Sequence, residues 1–426
     1  MGGMHRTTWI LGALLAGAAL GGLANLLVDP SVIRTGIRYG TDPVGRMWLA
    51  GLIMVVIPLI LSTLALGVAS LGSLRRVGRI GLLSLLAFLG LTTASVALGL
   101  GLMAALRPGA GLDPEVAGRL MEAFRGRAPS AMGFSDTGFG VELLVRVVPR
   151  NPVQAMAGGE MLAVIFLALV LGIALTLIPR EKAEPLTRLL DSVSHVCGAI
   201  IDLVMKAAPV GVFCLVFTVV AQFGFDLLRS LAWFVGTVLL GLALFQLVAY
   251  PLVLRLVARR SPLDFFRRTR LVMLTAFTTS SSNATLPTTL RVGQEELGLP
   301  REVAGFVLPL GATMNMNGAA IYLASVTVFA SQIYGINLSI GQQIIIVLTA
   351  TLLSVGAPGI PGGGVVLAVM IIGMLGLPVE VAGMIAGIYR LLDMAHTTMN
   401  VTGDVVTDLC IAKTDGFFEE PAPATK

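Results

Sequence analysis

An all-α polytopic membrane protein is the fold class this sequence predicts, and three observations predict it. Of 426 residues, 56% are hydrophobic and 12% charged, about half the charged share of an ordinary soluble domain, and mean hydropathy is +0.90. Runs such as Trp9 to Val28, Trp48 to Leu71 and Ile80 to Leu106 are each long enough to cross roughly 30 Å of hydrocarbon as a helix. The basic residues cluster at the ends of those runs, so the formal charge of +5 reads as topology and not as a nucleic-acid surface. Fifty glycines then point to closely packed or broken helices rather than to disorder.

Taken in order, His5 and Arg6 precede a long apolar run without a small-residue cleavage site, so the first helix is expected to be retained. Asp29 to Pro43 reads as a polar connection. The second span ends in Leu74-Arg75-Arg76-Val77-Gly78-Arg79, a basic loop that the positive-inside rule puts on the cytoplasmic side. Alternation from there places the N-terminus inside and the long, mixed-charge connection from Arg107 to Val153 outside. The fourth span, about Met161 to Ile178, and the sixth, about Trp233 to Val257, end in Pro179-Arg180-Glu181-Lys182 and Arg259-Arg260-Ser261-Pro262 on the same inside. The fifth, Val193 to Phe223, ends outside near Asp226. Six spans therefore agree with one topology. Cys197, Cys214 and Cys410 lie in apolar context without metal-ligand spacing and are expected to be buried free thiols.

After Arg270 the simple pattern changes. Thr275 to Thr289 is too polar for lipid and too apolar for a loop, and a second broken stretch follows at Ser354 to Gly364. Each is flanked by half-length apolar segments, the pattern of helical hairpins that enter and leave from one side. Non-helical backbone at membrane depth survives only against protein or a water-filled cavity, and paired interruptions point to an inverted-repeat transporter. On pattern alone, Gly/Pro kinks in ordinary spanning helices remain an alternative. Between the hairpins, Leu308 to Ala320 carries Asn315 and Asn317, and Gly318 breaks the helix there. Unwound carbonyls and Asn oxygens suit a hard monovalent cation; interhelical hydrogen bonding is the competing role.

The last apolar stretch, Val381 to Ile411, contains Asp393, His396, Thr397, Thr398, Asn400 and Asp404. Counted from Asp393, positions +3, +4, +7 and +11 share one helical stripe. Such groups in hydrocarbon mark a ligand and ion path enclosed by protein, against the plainer reading of a soluble core helix or acids in a frayed end.

These stretches resemble the dicarboxylate/amino acid:cation symporters, which include the glutamate transporters. The resemblance rests on Ser280-Ser-Ser-Asn-Ala-Thr-Leu-Pro, Gly311-Ala-Thr-Met-Asn-Met-Asn-Gly, Gly356-Ala-Pro-Gly-Ile-Pro-Gly-Gly-Gly and Asp393-Met-Ala-His-Thr-Thr-Met-Asn-Val-Thr-Gly-Asp. It implies eight transmembrane helices plus two re-entrant helical hairpins with inverted repeats, the glutamate transporter homologue fold. It also implies a homotrimer in the lipid bilayer of the cytoplasmic (inner) membrane, with both termini cytoplasmic and a transport region that moves as an elevator against a scaffold. On that basis 1–79 is mainly scaffold, 80–106 belongs to the transport domain and 107–260 is scaffold plus part of the transport domain. Hairpin 1, broken helix 7, hairpin 2 and helix 8 fill a transport core at 261–416, and 417–426 is a cytoplasmic tail.

Carried over by position, the resemblance makes Asp393 the partner of a substrate α-amino group. Thr397 and Asn400 take the side chain and carboxylate, with Ser280, Ser282, Ile360, Gly362 and Gly364 closing the clasp. It implies a first cation at Gly311, Asn315, Asn400 and Asp404, and a second at Thr313, Met316, Ser354, Val355 and Ala357. A third site at Thr92, Thr93 and Asn317 is depleted, since Asn317 stands where the family has aspartate and Leu89 where an aromatic hydroxyl is expected. Fewer coupled cations, or a proton in place of one, is the expectation. Ala319 removes a hydroxyl from the carboxylate end. Arg390 is placed to pair with Asp393. Asp408 is expected to be a solvated acid at the cytoplasmic end, with an extra proton site as the alternative.

The departure with most weight is His396, where carriers of acidic amino acids have arginine. Histidine is a weak and usually neutral donor at pH 7. The expected activity is therefore symport of a neutral or small polar amino acid with Na⁺ or H⁺, His396 donating a hydrogen bond to the cargo side chain. An acidic amino acid or C4-dicarboxylate carrier using His396 in place of arginine is the alternative, and an anion-conducting channel a further one. Neither a nucleophile with an oriented base nor a metal cluster accompanies these residues, so an enzyme is not expected, nor is a cofactor beyond the coupling ion.

Overall fold

The computed structural model describes residues 2–71, 79–110, 148–158, 160–223, 226–355, 357, 362–377 and 379–414. The arginine loop up to residue 78, most of the 107–153 connection and the 417–426 tail lie outside them. All regular elements among the described residues are helical.

After α1 (Gly2–Leu27), the polar connection expected at Asp29 to Pro43 is instead helical. Asp29 accepts the Ser31 N–H at 2.8 Å and Pro30 sits in the first turn, which together start a helix. α2 (Pro30–Gly36), a π turn at Ile37–Thr41, α3 (Asp42–Ile53) and α4 (Val56–Leu71) follow, so that Pro30–Ala69 forms one span of 40 residues. α5 (Arg79–Leu106) comes next, then α6 (Pro152–Ala157) and α7 (Met161–Leu177).

The fifth expected span is not a single helix: α8 (Arg180–Lys206) and α9 (Ala208–Phe223) meet at 60°. Pro209 has no N–H for the Met205 carbonyl, and its ring crowds that oxygen. The sixth span runs from Arg229 to Ala258. In it α10 (Asp226–Leu244) and α11 (Tyr250–Val253) are separated by a π turn at Phe245–Ala249, and a second π turn, Leu254–Ala258, ends it. The two wide turns flank Pro251, where the helical hydrogen-bond ladder is interrupted.

The first hairpin is α12 (Pro262–Thr279) folded back on α13 (Ser282–Glu295). Its tip takes two residues: Ser280 is left-handed (φ 50°) and Ser281 caps α13, its Oγ accepting the Ala284 N–H at 3.2 Å. α14 (Arg301–Met314) and α15 (Asn317–Ile333) are one helix broken at Asn315 and Met316, both non-helical. α16 (Ile340–Val355) and α17 (Gly363–Met374) are the arms of the second hairpin, and α18 (Glu380–Thr414) closes the chain.

Four helices among the described residues are long and apolar enough to cross a membrane, or five if the bent α8–α9 pair counts as one span. The eight expected crossings are not reached by this measure, in part because Gly12–Leu27 and Ala163–Leu177 are apolar but shorter. Leucines such as Leu15, Leu86, Leu203 and Leu247 face outward, as suits a bilayer as solvent. α1 approaches α9 until a Cβ on Gly17 would lie 2.8 Å from the Phe213 carbonyl, the small-residue packing that replaces a hydrophobic drive in lipid. At the centre, α15 is buried nearly throughout, packed by α5, α10, α16, α17 and α18.

Candidate functional site

The site forms where the two hairpin tips and the break between α14 and α15 meet the middle of α18. Helices that stop inside the protein leave backbone groups unpaired, and here those groups meet the polar stripe of α18. The Gly318 N–H, in the first turn of α15, donates to Asn400 Oδ1 at 2.7 Å. The Gly362 N–H, at a left-handed glycine (φ 87°) heading α17, donates to Asp393 Oδ2 at 3.2 Å.

Asp393, 2% exposed, has three further partners. Tyr389 donates its hydroxyl to Oδ1 at 3.0 Å, Arg390 Nη1 lies 3.3 Å from Oδ2, and His396 Nε2 lies 3.1 Å from Oδ1. The Tyr389 oxygen is a hub, since it also accepts the Gly364 N–H at 3.1 Å and touches His396 Nε2 at 2.9 Å. A side chain on residue 364 would collide with that hydroxyl, which explains the glycine there. Tyr322 packs beside both rings, 5.0 Å from Tyr389 and stacked on His396 at 6.3 Å.

Around these groups is a cavity of about 20 Å³ lined by Ser280, Ser282, Met316, Ala319, Ala357, Gly364, Leu367, Tyr389, Asp393, His396, Thr397 and Asn400, room for about one water. No arginine or lysine is among these lining residues. The Arg390 guanidinium reaches Asp393 from outside the lining.

The first-cation set comes together in part. Asn315 Nδ2 donates to Asp404 Oδ1 at 2.9 Å, and Asp404 packs so tightly on Gly311 that a Cβ there would lie 2.6 Å from its Oδ1. Asn315 Oδ1 is buried without a partner among the described residues, an acceptor left for a ligand. Asn400, one turn before Asp404, spends its oxygen on Gly318 N–H and turns its amide to Met316 Sδ at 3.2 Å.

The second set is not assembled as expected. Met316 and Ala357 meet at the cavity and Ser354 and Val355 are buried, but Thr313 is exposed with its hydroxyl on the Leu310 carbonyl at 2.9 Å. The helix ends at Met314 and both Asn315 and Met316 are non-helical, so the three-residue spacing does not put Thr313 on the face of Met316. In the third set Thr92 donates to Asn317 Oδ1 at 2.8 Å, whereas Thr93, one position on, is exposed. Asn317 Nδ2 donates to the Tyr250 hydroxyl at 2.9 Å, which in turn donates to the Met399 carbonyl at 3.1 Å. Both ends of Asn317 are thus occupied by protein. Tyr250 was not among the expected site residues, because an isolated tyrosine in an apolar run carries no signal of a partner on another helix.

Of the expected substrate residues, Ser280, Ser282, Ala319, Gly364, Asp393, His396, Thr397 and Asn400 line the cavity and Gly362 binds Asp393. Ile360 lies outside the described residues. Arg390 pairs with Asp393 as expected. Asp408 is not a solvated acid: every residue from Val401 to Ala412 is buried, and both Asp408 oxygens lack a partner among the described residues. The helix continues past it and the Leu254–Ala258 turn packs along α18. Cys197, Cys214 and Cys410 are buried and free.

The model of the sodium:dicarboxylate symporter family matches residues 7–414. The chain is 35% identical over 381 residues to the proton/glutamate-aspartate symporter of Escherichia coli (strain K12), covering 89% of this chain and 86% of the relative. It is 33% identical over 388 residues to the proton/sodium-glutamate symport protein of Bacillus subtilis (strain 168), covering 90% and 88%. With the C4-dicarboxylate transport protein of the same organism it shares 31% over 416 residues, covering 97% and 94%.

Proposed function

We propose, for a chain that belongs to the sodium:dicarboxylate symporter family and is therefore a cation-coupled symporter rather than an enzyme, that its cargo is a neutral or small polar amino acid. The observation that carries this is the cavity lining, which holds the Asp393 carboxylate but neither arginine nor lysine. A zwitterion brings one ammonium, for which Asp393 is the counter-charge, and one carboxylate, for which Ser282, Asn400 and hairpin N–H groups are donors. An acidic amino acid would bring a second carboxylate into a buried site whose lining offers it no permanent cation, at a cost of several kcal/mol.

In this reading Asp404, Asn315, Gly311 and Asn400 hold one Na⁺, or Asp404 takes a proton, and Met316, Ser354, Val355 and Ala357 serve a second cation. Asn400 links cargo to cation, because it lies between Asp393 and Asp404 on α18. The eight-span, two-hairpin topology, the homotrimer, the elevator motion of 80–106, part of 107–260 and 261–416 against the scaffold, and an inner membrane with both termini cytoplasmic belong to the same proposal.

A second reading has its own observation: His396 Nε2 lies 3.1 Å from an Asp393 oxygen, so a protonated His396 would stand in for arginine toward an acidic cargo of the kind the named relatives carry. A thermal-shift screen of the purified chain with the twenty amino acids and succinate, with and without Na⁺, separates the two, because ligands of the folded state raise its stability by mass action. Stabilisation by serine, alanine or cysteine in Na⁺ is expected. Stabilisation by aspartate, glutamate or succinate alone, growing as pH falls, would replace the first reading by the second. Saturable, gradient-driven accumulation in proteoliposomes distinguishes either carrier from an anion channel.

A further inference from the structure

The hydrogen bonds around Tyr389 determine which nitrogen of His396 carries the proton, and so what the ring can offer a cargo. The Tyr389 oxygen has one hydrogen and two lone pairs. One lone pair takes the Gly364 N–H, and the hydrogen goes to Asp393 Oδ1. His396 Nε2 lies 2.9 Å from that hydroxyl and 3.1 Å from the same carboxylate oxygen. A carboxylate only accepts, and the remaining tyrosine lone pair only accepts, so Nε2 must be the donor. A bare nitrogen there would face two filled lone pairs.

The other ring nitrogen, Nδ1, is buried and has no partner among the described residues, on a side chain only 5% exposed. A proton on Nδ1 would be a buried donor without a partner among the described residues, whereas a bare Nδ1 is an acceptor left for a donor on the cargo. The ring lines the cavity, and Nδ1 is the nitrogen left to serve it. The expectation that His396 donates to cargo is therefore reversed.

We propose that His396 presents Nδ1 to the cavity as a hydrogen-bond acceptor, held so by Tyr389 and Asp393 on Nε2. The site thereby selects neutral amino acids whose side chains carry a donor: hydroxyl, thiol or carboxamide. A side-chain carboxylate at pH 7 has only lone pairs and is rejected by the same atom, and an aliphatic side chain leaves Nδ1 unpaired. A site built around a buried hydrogen-bonding group discriminates strongly against analogues that cannot pair with it.

The inference rests on reading the cavity as an amino-acid site, and the test keeps the two apart. The full-length protein is purified in nanodiscs with Na⁺, and binding of serine, cysteine and asparagine is compared with alanine, 2-aminobutyrate and aspartate. Serine is expected to bind at least about tenfold tighter than alanine or 2-aminobutyrate, and His396→Phe to bring the ratio close to one while alanine still binds. Nitrogen NMR of the wild-type imidazole, which needs no variant to fold, is expected to show Nδ1 unprotonated and Nε2 protonated at pH 7. A serine-to-alanine ratio near one, or a protonated Nδ1, overturns the acceptor assignment and leaves the neutral-amino-acid reading standing. Binding of aspartate alone overturns both.

Discussion

Tyr250→Phe tests whether Asn317 belongs to a hydrogen-bond relay or to a cation site. The tyrosine is fully buried, with its ring edge-on to Phe245 at 5.1 Å, and phenylalanine keeps that packing. What goes is one oxygen that donates to the Met399 carbonyl at 3.1 Å and accepts from Asn317 Nδ2 at 2.9 Å. The substitution leaves the Asn317 amide N–H without its acceptor in a site with no solvent, at about 1–3 kcal/mol, and forfeits a bond worth about 1 kcal/mol net. The sum, about 2–4 kcal/mol, lowers the midpoint of thermal unfolding by roughly 2–5 °C in a chain of this length. Fluorescence-monitored unfolding of purified protein measures the shift. In parallel, the slope of amino-acid affinity against Na⁺ concentration should equal that of wild type, since Asn317 spends both ends on Thr92 and Tyr250. A midpoint unchanged within a degree refutes the relay. A slope reduced by about one Na⁺ would instead make Asn317 and its neighbours a working cation site.

Other substitutions probe the remaining contacts. In Gly311→Ala the new Cβ meets Asp404 Oδ1 at 2.6 Å and must displace the carboxylate; Na⁺ affinity, read from Na⁺-dependent thermal stabilisation, should fall by about tenfold or more, the ~1.4 kcal/mol of one lost ligand contact, with the fold kept. Arg390→Gln removes the guanidinium 3.3 Å from Asp393 and leaves a buried carboxylate with neutral donors and His396, so the protein without amino acid should lose about 1–3 kcal/mol. An amino acid's ammonium then restores the missing charge, and the ligand-induced rise in unfolding temperature should exceed that of wild type. Asp408→Leu should be neutral or stabilising by ~1–2 kcal/mol, because a buried carboxyl group with no partner among the described residues contributes only desolvation cost; a loss above about 2 kcal/mol in the same unfolding assay would show that Asp408 has a ligand.

What could be read ahead of the structure depended on whether a partner lies near in sequence. The stripe Asp393, His396, Thr397, Asn400 and Asp404 was legible because helical spacing alone puts it on one face, and the tip of the first hairpin was legible because Ser280-Ser281 interrupts a helical run. The helical start at Asp29-Pro30 was also written in the chain, as an N-cap followed by proline, but a polar composition concealed it. Tyr250 was not legible: its partners Asn317 and Met399 lie 67 and 149 residues away, and nothing local marks a tyrosine whose hydroxyl is to be satisfied by another helix. Thr93 and Thr313 show the converse limit. A residue can match a family position by order and still be turned outward, because membership in a ligand set depends on rotation about the helix axis, which one residue changes by about 100°.

His396 joins both kinds of information. Its place on the stripe follows from spacing, yet the direction of its hydrogen bond does not. That direction is set by a count of hydrogens on Tyr389, seven residues before it, whose one hydrogen goes to Asp393. With its hydrogen on Asp393 Oδ1, the Tyr389 oxygen offers Nε2 only a lone pair whether or not Gly364 occupies the other one. An amino acid that does not satisfy Nδ1 leaves a buried polar group unpaired, and that cost is the source of the proposed selectivity for a donor-bearing side chain.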